Sequence, residues 1–257
     1  LNINADIAAR ELVWAIRPHK IIFLTPSGGL LDRNGRVISA VSLSNDYESL
    51  MQEPWVHSGM RLKLQQINEM LEGLDDSTSV SITSADQLTR ELFTYRGAGT
   101  LVRKGEGIEC LEQPNGEVLR DVAQRVEASF GRSLKPGWVE SLVDPVVLLS
   151  ESRRAAAVIV RGEEGLPYLE KFIVTPEAQG EGLGAAMWQV LRARHPELYW
   201  RSRNSNPITP WYFLQADSCE RHGPWVVFTN GITDPALRNR VVEEAMSRDP
   251  GWVEDAS

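Results

Sequence analysis

A short apolar run that leads through a glycine-rich turn into a helix constrains this chain more than any other feature. Residues 168–174 predict a buried strand, and residues 183–194 predict a helix. The turn between them contains Gln179, Gly180, Gly182 and Gly184. Glycine lets a ligand approach the backbone closely, and the free N–H groups at a helix start attract negative charge. The pattern favours an anion-binding turn, with a tight turn that binds nothing as the alternative.

A dinucleotide-binding turn is a second alternative, because it also places glycines between a strand and a helix. The sequence disfavours it. No βαβ crossover follows the turn, and no acidic residue stands where it would meet a ribose.

Composition restricts the class of function. The chain has 257 residues and a net charge of −8, which argues against nucleic acid as the main partner. Cys110 and Cys219 are its two cysteines, so we expect no disulfide framework and a reducing, cytoplasmic location. We expect no bound metal, because no cysteine–histidine cluster is present, and no membrane span, because no apolar run reaches about 18 residues.

The chain changes character once along its length. Residues 1–102 alternate between helix and strand patterns, which predicts an α/β part with a mainly parallel sheet. Residues 103–116 combine glycines, a proline and charges, and we interpret them as a linker. Residues 117–257 predict an α+β domain, in which helices are inserted into a mostly antiparallel sheet.

A second motif begins on the strand predicted at residues 198–203. Side chains alternate along a strand, so Arg201 and Arg203 share one face. Two guanidinium groups on one face suit carboxylates, although a solvated basic edge is the alternative. Asn206 follows, and then Tyr212 between two other aromatic residues. Taken alone, Tyr212 would be interpreted as a core aromatic residue.

These motifs carry a family resemblance. The strand, the Gln-x-x-Gly-x-Gly turn and the helix resemble the acetyl-CoA motif of the GCN5-related acetyltransferases. The second motif, with Tyr168-Leu-Glu-Lys171-Phe, resembles the acetyltransferase domain of N-acetylglutamate synthase and of the bifunctional synthase/kinase enzymes, over about residues 168–231. The resemblance implies a GCN5-related N-acetyltransferase (GNAT) fold and acetyl transfer from acetyl-CoA to L-glutamate, the step that opens arginine synthesis.

The resemblance also implies a role for each matched residue. Lys171 and Arg201 hold the glutamate carboxylates, Asn206 positions the substrate, and Arg203 either binds ligand or braces the strand. Tyr212 is the general acid that protonates the leaving thiolate, a task suited to a phenol with an ordinary pKa near 10. No general base is identified, and water is one candidate. The implied cofactor-binding residues are Phe172, Val174, Gln179, Gly180, Gly182 and Gly184.

Residues 1–6, 20–25 and 57–63 of the front part resemble segments in the nucleotide-binding half of amino-acid kinases, N-acetylglutamate kinase above all. The match implies kinase-site roles for Asn2, Asp6 and Lys63, whereas elementary alternatives are a helix cap for Asp6 and a solvated helix residue for Lys63. Residues 91–100 resemble the segment through which arginine-sensitive kinases bind their inhibitor, and the match implies effector contacts by Glu91 and Gly97.

The resemblance also sets expectations for kinase activity. ATP and magnesium are needed only if the kinase site is complete. Because the sequence begins at Leu1 inside a segment that resembles the middle of the kinase domain, we expect residues upstream and no phosphoryl transfer by this chain alone.

Two other functions remain open. The chain could be an acetyltransferase for another amine, such as a polyamine or an aminoglycoside, but such an enzyme should carry an acidic acceptor site. It could instead be a non-catalytic module that senses arginine or a nucleotide.

For the acetyltransferase that the resemblance implies, the expected partners are L-glutamate, acetyl-CoA, L-arginine as an inhibitor, and further copies of the chain in a homo-oligomer.

Overall fold

The computed structural model describes residues 5–75, 78–93, 98–179 and 182–253, with only the backbone of Asp6. Within these residues the helices are α1 (Ala5–Ile16), α2 (Leu43–Gln52), α3 (Ser58–Glu72), α4 (Leu88–Phe93), α5 (Gly116–Phe130), α6 (Leu183–Arg194), α7 (Thr209–Gln215) and α8 (Pro235–Ser247). The strands are β1 (Lys20–Leu24), β2 (Ala40–Ser42), β3 (Ser79–Thr83), β4 (Thr100–Arg103), β5 (Ile108–Glu112), β6 (Val146–Ser150), β7 (Ala155–Arg161), β8 (Pro167–Val174), β9 (Leu198–Arg203), β10 (Ser218–His222) and β11 (Trp225–Asn230).

The chain divides into two compact units. The first contains Leu1–Gly107 and Glu181–Ala186, and the second contains Ile108–Gly180 and Met187–Ser257. Among the described residues, no helix is both long and apolar enough to cross a bilayer.

The first unit is built on a four-stranded sheet in the order β1-β3-β4-β2. Two of its strand pairs, β1 with β3 and β2 with β4, are parallel, and β3 with β4 is antiparallel. Helix α3 buries Leu64, Ile67 and Leu71 in a core that also contains Val80 and Val102 of the sheet. This arrangement confirms an α/β front part with a mainly parallel sheet.

The second unit is built on a seven-stranded sheet in the order β10-β11-β9-β8-β7-β6-β5. Each neighbouring pair is antiparallel except β8 with β9, which is parallel. Helix α5 contributes Val122 and Val126 to the main core of this unit, and α8 contributes Val241 and Ala245. The α+β expectation is confirmed.

The linker prediction for residues 103–116 is wrong at its centre. Residues 108–112 form β5, which pairs antiparallel with β6 at the edge of the second sheet. The glycines and charges on either side suggested a loop, but three apolar or weakly polar residues, Ile108, Cys110 and Leu111, are enough to support an edge strand. The other domain boundaries stay predictions.

Two glycines with positive φ test the packing of the second sheet. Gly231 follows β11 with φ 73°, and an added Cβ would lie 2.3 Å from the carbonyl oxygen of Pro196. Gly223 joins β10 to β11 with φ 56°, and the same atom would meet nothing within 4 Å. We predict that Gly223→Ala costs about 1 kcal/mol of unfolding free energy, from backbone strain alone. Gly231→Ala should cost about 3 kcal/mol, because overpacking adds to that strain. Urea unfolding followed by tryptophan fluorescence measures both, and equal costs would contradict the packing described.

Candidate functional site

A β-bulge in β8 determines which side chains face the site. Lys171 is registered with Val158 of β7, but the next pair is Leu169 with Ile159, so Glu170 is an extra residue in β8. A bulge reverses the alternation of side chains beyond it. Lys171 therefore shares a face with Tyr168, although in a regular strand two residues three positions apart would face opposite sides.

Strands β8 and β9 are in register at one residue pair, Tyr168 with Tyr199. Beyond that pair β8 continues alongside β7, and β9 continues alongside β11. A cavity of about 280 Å³ lies where the two strands separate. The structure brings six of the sequence-predicted residues to its wall: Lys171, Phe172, Arg201, Arg203, Asn206 and Tyr212.

Lys171 is buried, with 7% of its side chain exposed. Its ammonium group lies 2.6 Å from Glu170 Oε1 and donates to the carbonyl oxygen of Pro250 at 3.4 Å. The same group lies 5.4 Å from the ring centroid of Trp138 and 5.3 Å from that of Trp252. Lys171 is therefore a positioned cation with a neighbouring carboxylate.

Behind the bulge, Arg248 connects α8 to the two central strands. Its Nε donates to Glu244 at 2.5 Å, its guanidinium lies 4.2 Å from the ring centroid of Tyr168, and a longer ion pair of 3.9 Å reaches Glu170. Glu244 also accepts from the Tyr199 hydroxyl at 2.7 Å. This network fixes the end of α8 beside the pair at which the sheet opens.

Arg201 and Arg203 share one face of β9, as the alternation predicts. Their guanidinium carbons lie 4.4 Å and 4.9 Å from the ring centroid of Trp225. Arg201 also donates to the carbonyl oxygens of Met246 and Arg248, at 3.3 Å and 2.5 Å, and so holds the C-terminal end of α8. Arg203 is exposed. Arg201 therefore stabilises the fold at the end of α8 as well as lining the cavity, whereas Arg203 is exposed and lines the cavity.

Tyr212 lies on the other side of the opened strands, in α7. Its ring packs within 5.7 Å of the rings of Trp188, Trp200, Trp211 and Phe228. The side chain is 5% exposed, and burial raises the pKa of its phenol above the ordinary value. Within the described part of the chain, its hydroxyl has no hydrogen-bond partner. Tyr212 is thus a neutral donor at the cavity wall.

Asn206 shapes the turn between β9 and α7. Its Oδ1 accepts from the N–H of Ile208 at 3.3 Å, and its carbonyl oxygen accepts from the N–H of Thr209 at 2.9 Å. The Thr209 hydroxyl in turn donates to the carbonyl oxygen of Arg203 and lies 2.9 Å from the Ser202 hydroxyl. The turn therefore fixes the Asn206 side chain at the cavity wall, next to the strand that carries the arginines.

The glycine-rich turn is described in part. Gly180 lies outside the described residues. Val174 ends β8, and its carbonyl oxygen accepts from the exposed Gln179 side chain at 3.4 Å. Gly182 has φ 85° with open space where a Cβ would stand, and Gly184 lies in the first turn of α6. The left-handed φ explains the glycine at position 182, and ligand binding by the turn stays a prediction.

The front-unit predictions fall partly outside the described residues. Asn2, Gly97 and the side chain of Asp6 are not described. Lys63 lies in α3, with its ammonium 4.8 Å from the ring centroid of Phe23. Glu91 is buried within the first unit.

The Glu91 carboxylate already has three partners within the first unit. It forms an ion pair of 2.6 Å with Lys20 and accepts hydrogen bonds from Ser81 Oγ and the Ala98 N–H, each at 2.6 Å. Burial alone would raise its pKa, but the hydrogen bonds from Lys20, Ser81 and Ala98 outweigh burial, and the pKa is lowered. Glu91 is therefore an ionised, internally neutralised group, and an effector role for it stays a prediction.

Sequence reasoning missed several residues of the cavity wall. They are Arg132, Glu170, Trp225, Asp249 and Trp252. Three of them come from segments far from the two motifs, and no local pattern marks them. The Arg132 Nε is buried without a hydrogen-bond partner among the described residues.

The chain is similar to several known proteins. A family model described as "NAT, N-acetyltransferase, of N-acetylglutamate synthase" matches residues 109–248, more than half of the chain. A Xanthomonas campestris protein named acetylglutamate kinase is 42% identical over 254 residues, which cover 97% of this chain and 60% of that protein. Mitochondrial N-acetylglutamate synthase of Homo sapiens is 36% identical over 231 residues, which cover 87% of this chain and 43% of that protein. The chain spans about half the length of these relatives.

One solved structure has a similar fold. The N-acetylglutamate synthase of Neisseria gonorrhoeae, in complex with coenzyme A and N-acetyl-glutamate, matches with a TM-score of 0.51 and 18% identity. The match covers 90% of this chain and 60% of that one. At this identity the likeness supports the fold alone.

The surroundings of Tyr212 predict an unusual titration. Because burial raises its pKa, Tyr212 should stay protonated near pH 10, where an ordinary tyrosine is half ionised. We therefore expect the tyrosinate absorbance of the parent and of Tyr212→Phe to rise equally up to about pH 10. A smaller rise in the variant would mean that Tyr212 ionises in that range and would contradict the environment described.

Proposed function

Since the chain belongs to the N-acetyltransferase family of N-acetylglutamate synthase, we propose that it transfers the acetyl group of acetyl-CoA to the α-amine of L-glutamate. The product is N-acetyl-L-glutamate, which begins arginine biosynthesis. The central support is that a cationic wall and a neutral phenol meet in one cavity, at the point where β8 and β9 separate.

The charge of the cavity wall favours a dicarboxylate. Four cations line it, against the carboxylates of Glu170 and Asp249. The four are Arg132, Lys171, Arg201 and Arg203. An excess of positive charge suits the two carboxylates of glutamate, since charge-assisted hydrogen bonds are among the strongest that proteins make. The same excess disfavours a polyamine or an aminoglycoside, which would be repelled.

The separated strands suit acetyl-CoA. Beyond Tyr168 and Tyr199, the facing edges of β8 and β9 offer backbone groups to an extended ligand, as a sheet edge does for an added strand. The start of α6 and the open space at Gly182 have, taken by themselves, the features of a pyrophosphate-binding turn, because helix N-termini attract anions. Phe172, which packs on Trp188 and Trp211, is the apolar residue that we propose to contact acetyl-CoA within the second unit.

The chain's residues would then act in sequence. Lys171, Arg201 and Arg203 bind the carboxylates, and Asn206 orients the substrate. The neutral amine attacks the thioester carbonyl, and the carbon–sulfur bond breaks. Tyr212 donates its proton to the departing thiolate, a task for which a phenol kept neutral by burial is suited. We propose that water accepts the amine proton.

The first unit supports wider proposals about the whole protein. We propose that kinase activity, with ATP and magnesium, belongs to the full-length protein, where Asp6 and Lys63 contribute to the site. Arginine would inhibit the synthase through the first unit. Glu91 and Gly97 are the proposed contacts, and Lys20 would have to share or release the Glu91 carboxylate. Assembly into a homo-oligomer and a cytoplasmic location complete the proposal.

Release of free thiol from acetyl-CoA, measured with a panel of amines, tests this function. We expect turnover with L-glutamate and none with spermidine. If only a cationic amine were acetylated, that amine and not glutamate would be the substrate. Acetyl-CoA binding without turnover on any amine would favour a non-catalytic sensor.

Tyr212→Phe separates chemistry from binding. Loss of the hydroxyl removes a proton donor that acts in the transition state, and general acid catalysis contributes roughly 100- to 10,000-fold. We therefore predict a kcat at least about 100-fold lower, with the glutamate KM within about threefold of the parent. Steady-state kinetics measures both values. A kcat equal to that of the parent would remove Tyr212 from the mechanism.

The two arginines of β9 should respond differently to substitution. Arg203→Ala is expected to raise the glutamate KM about tenfold without changing the melting temperature. Arg201→Ala should raise KM and also lower the melting temperature, because it releases the carbonyl groups at the end of α8. Arg221→Ala, an exposed change on β10, is the matched control.

Gly182→Val reports on the other substrate. A β-branched residue at φ 85° should raise the acetyl-CoA KM and leave the glutamate KM unchanged. If Arg203→Ala weakened acetyl-CoA as much as glutamate, the assignment of the two sites would be wrong.

A further inference from the structure

The segment that follows α8 forms part of the cavity wall. Residues 249–253, the C-terminal strap, contribute Asp249, Pro250 and Trp252 to the cavity. The family match ends at residue 248, so the strap lies outside it. Its role is therefore not given by the match to the family model.

The strap is attached to the segment after α5. The N–H of Lys135 donates to the carbonyl oxygen of Gly251, and the N–H of Val253 donates to that of Ser133, both at 2.9 Å. The Lys135 ammonium also pairs with Asp249 at 2.5 Å. These bonds hold the strap in one register across the site.

Trp252 touches two cations of the cavity wall. The Lys171 ammonium and the Arg132 guanidinium carbon each lie 5.3 Å from its ring centroid. Two like charges repel, but the face of an indole attracts both. The ring is itself supported by Phe130, at a centroid distance of 5.0 Å. Trp252 thus keeps two cations beside the cavity.

The strap packs closely on Trp138, the second indole beside Lys171. Gly251 has φ 77°, and an added Cβ would lie 2.8 Å from Trp138 Cδ1. A substitution at Gly251 would therefore displace the strap without changing the Trp252 ring. The Pro250 carbonyl, which accepts from Lys171, would move with it.

We propose that Trp252 is a positioning residue for glutamate binding, which acts by holding the Lys171 ammonium at the cavity wall. A cation that is already fixed loses less conformational entropy when a carboxylate arrives. The inference rests on the proposed function, and it assigns the strap to the amino-acid site rather than to acetyl-CoA.

The test is steady-state kinetics of the protein carrying Trp252→Ala or Trp252→Phe. We expect Trp252→Ala to raise the glutamate KM about tenfold and to leave the acetyl-CoA KM within about twofold. Trp252→Phe keeps an aromatic face, so its glutamate KM should stay within about threefold of the parent. Val253→Ala, an exposed change in the same strap, is the matched control and should behave as the parent.

Other kinetic results would contradict either the role of Trp252 or the proposed function. An unchanged glutamate KM in Trp252→Ala, or equal increases for the two substrates, overturns the inference. If Trp252→Ala does not fold, Gly251→Ala takes its place, and an unchanged glutamate KM there overturns the inference as well. No glutamate turnover in the parent overturns the proposed function together with the inference, whereas an active parent with unaffected variants overturns the inference alone.

Discussion

At Glu170, strand β8 has one residue more than its partner β7, and this bulge determines which side chains meet at the site. In a regular strand Lys171 would face away from Tyr168. The bulge instead turns Lys171 toward the face that carries Arg201 and Arg203. The extra residue also supplies the carboxylate that pairs with Lys171. A local irregularity of one residue thus assembles the cationic wall.

The parallel pair of β8 and β9 gives the second constraint. Because the strands are in register only at Tyr168 and Tyr199, the sheet opens next to that pair, and both faces contribute to one cavity. The arginine face holds cations beside Trp225, and the opposite face holds Tyr212 among aromatic rings. The phenol of Tyr212 stays neutral among these apolar rings, because burial disfavours its charged form. The cations on the arginine face of the same cavity attract carboxylates. The opening of the sheet therefore combines an anion site with a proton donor.

Sequence alone predicts the parts of this site that depend on local patterns. The strands, helix α6 and the shared face of the two arginines follow from periodicity, and Tyr212 and Lys171 follow from the family resemblance. The face of Lys171 could not be predicted from alternation, because a bulge breaks the period. Helix α7 begins at Thr209, followed by Pro210, and helix α8 begins at Pro235, preceded by the capping residue Asp234. A polar residue followed by proline is a helix-start signal that the sequence offers and our interpretation missed. The strap depends on contacts between distant segments, which leave no local pattern.

The central claim is that the cavity selects a dicarboxylate by charge, and the ratio of kcat/KM for L-glutamate to that for L-glutamine tests it most directly. The two amino acids have nearly the same shape, and glutamine lacks one negative charge. Loss of a charge-assisted hydrogen bond costs roughly 1.5–3 kcal/mol, so the account predicts a ratio of about 10 to 150 in favour of glutamate. A ratio near one would show that the cations of the wall do not recognise the side-chain carboxylate, and it would contradict the account.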